Sequence, residues 1–116
     1  MEIRNQLVDT YFRALDEEDY TSIESAFTED VTYRLPEETI TDLDDATEYF
    51  RNRRRPTNTT HEITRRIHDD ETSAVEGYVT GEMPDRGEFE GRFADIFEFD
   101  PETERISELV VYPIPW

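Results

Sequence analysis

The 116-residue sequence contains no cysteine and no lysine. Without thiols it can form no disulfide, offers no thiol nucleophile and builds no thiolate metal site. Glycine is scarce, at four residues, and no apolar run approaches the roughly 20 residues that span a bilayer. The opening stretch Met1 to Asp19 lacks the basic-then-apolar order of a secretory signal, so the chain is expected in the cytoplasm. Positive charge is sparse: 12 arginines face 30 acidic residues, for a formal net charge of -18. Such a field repels phosphate backbones and anionic lipid, which argues against nucleic acid and membranes as partners.

High charge with only 34% hydrophobic residues is the usual composition of disorder. Here, however, aromatics reach 12% and the apolar residues fall in periodic blocks. A folded protein adapted to concentrated salt, as in a halophile, reconciles these facts, because molar salt shrinks the Debye length to about 3 Å. No repeat or linker divides the chain, so residues 1–116 read as one domain.

Three helices are expected first. Ile3, Leu7, Val8, Tyr11, Phe12 and Leu15 form an apolar stripe over residues 2–16, with Arg4, Asp9, Arg13 and Asp16 outside. Thr21 and Glu24 have capping-box spacing for a short second helix carrying Ile23, Ala26 and Phe27. Residues 31–35 alternate as a strand and stop at Pro36; Asp42 then caps a third helix with Leu43, Ala46 and Phe50. Arg51, Arg53, Arg54 and Arg55 crowd its end, either offsetting the helix dipole and the acidic surface or forming an anion-binding edge. From residue 58 the period becomes two, giving strands at 59–68, 73–83, 88–99 and 105–114. All four glycines lie in the central hairpin, where they imply bulges and bending. The expected class is α+β, with helices filling the concave face of a strongly curved antiparallel sheet.

Asp95 is the clearest candidate for chemistry. Strand parity puts it on the side of Phe89, Phe93, Phe97 and Phe99, the one acid on an aromatic face. Desolvation there raises a carboxyl's pKa and leaves an acid able to donate a hydrogen bond or carry a proton; the alternative is an acid that merely satisfies a core tyrosine or arginine. Tyr11, in the stripe of the first helix, is its natural partner, or else a core tyrosine. His61 shares parity with Ile63 and Ile67 and can line a pocket, whereas His68 beside Asp69 and Asp70 reads as an exposed turn residue. Their seven-residue spacing puts the two histidines on opposite faces, which excludes a two-histidine metal site in that strand. An even-length turn over residues 83–88 would pair Glu76 with Asp95 and Tyr78 with Phe93, placing two carboxyls in one pocket. Otherwise Glu76 is a surface residue paired with Arg66.

The segments Tyr11-Phe12-Arg13-Ala14-Leu15, Asp19-Tyr20-Thr21-Ser22-Ile23 and Phe27-Thr28-Glu29-Asp30-Val31-Thr32-Tyr33 resemble the opening of SnoaL-like proteins of the nuclear transport factor 2-like superfamily. Ala94-Asp95-Ile96-Phe97-Glu98-Phe99 and Arg105-Ile106-Ser107-Glu108-Leu109 resemble its last two strands. The resemblance implies a cone: three helices against a bent sheet, a small-molecule pocket at the open end, and homodimerisation through the outer sheet face. In ketosteroid isomerase, a member of that group, the oxyanion hole is a helix-one tyrosine with a protonated aspartate on the penultimate strand; by motif those roles fall on Tyr11 and Asp95. In SnoaL-type cyclases the aspartate of that strand is the acid-base residue, again Asp95. The isomerase's base, an aspartate before a proline, is replaced by Leu35 before Pro36, and the Arg-x-Asp pair of the epoxide hydrolase is missing from Glu76-Gly77-Tyr78.

Two functions follow as expectations. One is cofactor-free and metal-free proton transfer on a small, largely apolar molecule, of isomerase or polyketide-cyclase type, with Asp95 and Tyr11 catalytic and Glu76, Tyr78, Phe93, Phe97, His61 and Leu35 around the substrate. The other is a non-catalytic ligand carrier or dimerising scaffold, whose cavity would be filled by Trp116, Tyr78 and phenylalanines. The terminal run Val110 to Trp116 could supply a pocket wall or a dimer contact.

Overall fold

The spacing of apolar residues in the first segment produces a helix, Glu2–Glu17 (α1), in a computed structural model that describes residues 2–115. Val8, Tyr11, Phe12, Ala14 and Leu15 are buried, while Ile3 is exposed. Tyr20–Ala26 (α2) follows, capped by Asp19, whose carboxylate accepts from the Ser22 amide and hydroxyl. The expected Thr21 cap lies one position inside the helix instead, because Asp19 already satisfies the first free amide. Phe27, expected to end this helix, begins strand β1 (Phe27–Arg34), which pairs with a short strand that the sequence pattern did not reveal, β2 (Thr39–Thr41). Asp42 caps α3 (Leu43–Glu48) through the Asp45 amide, and α3 runs into a π-helical turn, Tyr49–Arg53, that buries Phe50.

The remaining strands are β3 (Thr57–Asp69), β4 (Thr72–Met83), β5 (Gly87–Phe99) and β6 (Ile106–Pro115). One open six-stranded sheet results, in the order β2-β1-β6-β5-β4-β3. It is mixed rather than wholly antiparallel, because β1 runs parallel to β6. That pairing joins an early strand to the last one and aligns Tyr33 with Leu109, which in turn opposes Phe97 of β5. Bulges at residues 57–60 and 63–65 of β3 and 98–99 of β5 interrupt the ladder and bend it.

Two details of register correct the sequence reading. The β4–β5 loop is the three-residue Pro84-Asp85-Arg86 closed by the Met83↔Gly87 pair, with Gly87 at φ +78°. An odd loop with a left-handed glycine is a standard hairpin solution. It opposes Val75 to Asp95 and Gly77 to Phe93, so Glu76 and Tyr78 lie opposite Ala94 and Arg92 on the outer face. The bulge at residues 63–65 reverses side-chain parity within β3: His61 and His68 both turn to the helices, while Ile67 is exposed. Among the described residues, no helix is long and apolar enough to cross a membrane.

Candidate functional site

The core is built from rings. Tyr11 and Phe12 of α1 meet Phe97 edge-on, Phe12 also meets Phe93, and Phe27, Tyr33 and Phe50 pack behind them. Into this apolar interior β5 inserts Asp95, only 3% exposed, between Phe93 and Phe97 on the inward face. Its Oδ1 is sealed from solvent and has no hydrogen-bond partner among the described residues. Burial raises the carboxyl's pKa to about 8, against the opposing pull of the Tyr112 backbone N–H. Asp95 is therefore mostly a neutral acid at pH 7, as the sequence suggested.

Tyr11 is equally buried, but its hydroxyl bonds to that of Tyr33 at 2.9 Å rather than to Asp95. Desolvation drives both phenols well above the usual tyrosine range. The neighbouring phenol and the Asp95 charge add to the rise at Tyr11, and at Tyr33 Tyr49 and Asp95 act in the same sense. Asp95, Tyr11 and Tyr33 thus form one buried polar group in which all three members are protonated at neutral pH. Tyr33 was the residue missed by sequence reasoning. Its signal was the one that marked Tyr11: a tyrosine alternating with buried Val31 needs a partner for its hydroxyl. The other candidates separate. Phe93 and Phe97 flank Asp95, and Leu35 packs half-buried against the core. Glu76 is exposed and pairs with Arg65, and Tyr78 is 41% exposed, so neither borders the buried acid. Trp116 lies outside the described residues.

His61 lies elsewhere, between the rings of Phe12 and Phe93 at the start of β3. Asp16, expected on the outside of α1, reaches across to accept from the His61 backbone N–H at 2.8 Å, the Thr59 hydroxyl at 2.8 Å and His61 Nδ1 at 2.6 Å. Burial alone would raise the Asp16 pKa; the bonds from His61 and Thr59 outweigh it and hold the carboxyl below its ordinary value. His68, expected at an exposed turn, bridges Ser73 and Asn5 through its two nitrogens, with Ser73 fully buried. The arginine cluster divides: Arg51, Arg53 and Arg55 pair with carboxylates, whereas the half-buried Arg54 donates to Thr59. Among the described residues, no three His, Cys, Asp or Glu side chains are grouped as metal ligands.

A profile of the family described as SnoaL-like domain matches residues 8–109. Solved structures share the fold at low identity. A proposed SnoaL-like polyketide cyclase from Shewanella denitrificans is 17% identical with a TM-score of 0.84, over 97% of this chain and 91% of that one. A proposed ketosteroid isomerase from Kribbella flavida is 20% identical with a TM-score of 0.78, over 100% and 81%. A third, an LEH-like epoxide hydrolase from M. tuberculosis, is 19% identical with a TM-score of 0.78, over 93% and 80%. A comparison with curated proteins finds no match.

Proposed function

The chain belongs to the SnoaL-like domain family, and we propose that it binds a small, largely apolar molecule and moves a proton on it without a cofactor, through Asp95. The carrying observation is the buried Asp95 Oδ1 with no partner among the described residues. A sealed carboxyl oxygen left unbonded costs the fold about 1–3 kcal/mol, a cost offset when a ligand oxygen or N–H meets it. In the Tyr11–Tyr33 hydroxyl pair one phenol donates to the other, which leaves one O–H to donate, suited to the oxyanion that forms when a carbonyl compound loses an adjacent proton. In such a step the small ionised fraction of Asp95 takes the proton as one substrate C–H bond breaks, and the neutral acid so formed returns it to another carbon or oxygen, so no oxidant is required. Asp95 acts as the acid-base group, an effect of about 10²- to 10⁴-fold when well placed. The names of the similar structures, an isomerase, a cyclase and an epoxide hydrolase, fit a cofactor-free small-molecule pocket protein.

The test is substitution together with ligand capture. Native mass spectrometry of protein purified without additives should retain an apolar carbonyl or alcohol compound. Asp95→Asn should then lose turnover of that compound by at least about 10²-fold with a melting temperature at pH 7 no lower than that of the parent. A second reading, a non-catalytic carrier or scaffold, is favoured by the close ring packing around Asp95 and by Leu35 where the isomerase has its base. Binding of the captured compound without turnover by the unmutated protein, and undiminished in Asp95→Asn, would select it. The outer face of β4–β6, where Ile96 and Val110 are half-buried beside exposed Tyr112 and Ile114, is our choice for the homodimer contact.

A further inference from the structure

The bonds made by Asp16 fix which nitrogen of a neutral His61 ring carries the proton. An ionised carboxylate only accepts hydrogen bonds, so the Nδ1 that lies 2.6 Å from Asp16 carries the ring proton. Nε2 has no partner among the described residues, and it is not one of the unpartnered side-chain atoms sealed from solvent, which are Thr28 Oγ1 and Asp95 Oδ1. It therefore reaches the surface, and in the neutral ring it carries the lone pair. The ring is gripped by Phe12 and Phe93, and its side chain is only 10% exposed, so the geometry is fixed. Orientation of an imidazole by a carboxylate on the opposite nitrogen is the arrangement that makes histidine an effective proton acceptor.

The imidazole opens onto a cleft of about 470 Å³ between α1 and the edge strand β3, with Phe12 and Ile63 as apolar wall. Its two cations are already paired, Arg13 with Glu17 and Arg66 with Asp9, so no free positive charge awaits an anion. This cleft is not the interior of the Asp95 group. In the sheet ladder His61 opposes Val79, which opposes Gly91, four residues along β5 from Asp95, or roughly 13 Å at the rise of a strand. Phe93 stands between them.

We propose that the α1/β3 cleft is a second ligand site, in which His61 Nε2 accepts the hydrogen of an acidic O–H carried by a small neutral aromatic or enolic molecule lying on Phe12 and Ile63. Asp16 is the positioning residue. In full transfer the ligand O–H bond breaks, Nε2 gains the proton, Nδ1–H stays bonded to Asp16, and the proton returns on release, so charge and atoms balance. The site stands independently of the Asp95 reading.

The experiment is histidine ¹⁵N NMR at neutral pH with 4-cyanophenol, which is mostly un-ionised there, as probe and 4-cyanoanisole, which lacks the O–H, as control. Expected are a His61 ring protonated at Nδ1 and bare at Nε2, and a saturable shift of Nε2 with 4-cyanophenol. The anisole should bind about tenfold more weakly, the effect of one hydrogen bond. Asp16→Asn, checked for folding by its melting curve, should weaken cyanophenol binding by a similar factor, whereas Asp95→Asn should retain it. A proton found on Nε2, equal binding of the two probes, or no saturable shift overturns the proposal. These outcomes are read on the unmutated protein and do not depend on the variants folding.

Discussion

At the scale of the residue, Asp95 makes stability depend on pH in an unusual direction. A carboxyl whose pKa moves from 3.8 when exposed to about 8 when folded holds its proton longer in the native state. The native form therefore gains nothing from it below pH 3.8, where both states are protonated, and is progressively penalised as pH rises from 3.8 to about 8. Fully developed, that penalty is on the order of 5 kcal/mol. Asn cannot ionise, so the stability of Asp95→Asn relative to the parent should climb steadily across this window in urea titrations; parallel curves from pH 4 to 8 would mean that Asp95 is hydrated. Asp16 works in the opposite sense. Its lowered pKa contributes stability above 3.8 that is lost as pH falls through the folded value, so Asp16→Asn should flatten the acid limb of the stability profile. Asp95 was legible in the sequence because parity alone sets an acid among phenylalanines. Asp16 was not, since a helix-end aspartate looks solvated until β3 is brought against it.

At the scale of the element, two one-residue features decide which side chains share a face. The odd loop before Gly87 turns Glu76 and Tyr78 outward, and the bulge at residues 63–65 turns His68 inward. Neither follows from alternation, because a period-two pattern carries no record of an extra residue. The long strands β3 to β6 were legible to within a few residues. Three-residue β2 was not, having too few positions to alternate. Gly77 fixes the approach of β3 to β4: a Cβ there would coincide with the Glu62 carbonyl oxygen and crowd the Phe93 ring. Gly77→Ala should cost roughly 2 kcal/mol or more, seen as a lower urea midpoint at unchanged slope. An unaltered midpoint would show that the strands can part at no cost and that the bulge is not locked.

At the scale of the whole molecule, a net charge of -18 on one small domain opposes its own compaction. Eight of the twelve arginines pair with carboxylates among the described residues, which leaves most of the 30 acids without a cationic partner there. Screening should stabilise the fold, so the melting temperature in molar KCl is expected to exceed that in millimolar KCl by about 5 °C or more; no difference would separate the acidic surface from any adaptation to salt. The α+β class and the helices against a bent sheet were readable from periodicity. The parallel β1–β6 pairing was not, since it joins the two ends of the chain and leaves no local trace. The proposed function rests on one feature of the fold, a protonated acid in a core of rings. The direct test is a ¹³C NMR titration of the Asp95 carboxyl: a midpoint near 8 is expected, and a midpoint near 4, the value of a solvated aspartate, would contradict the account.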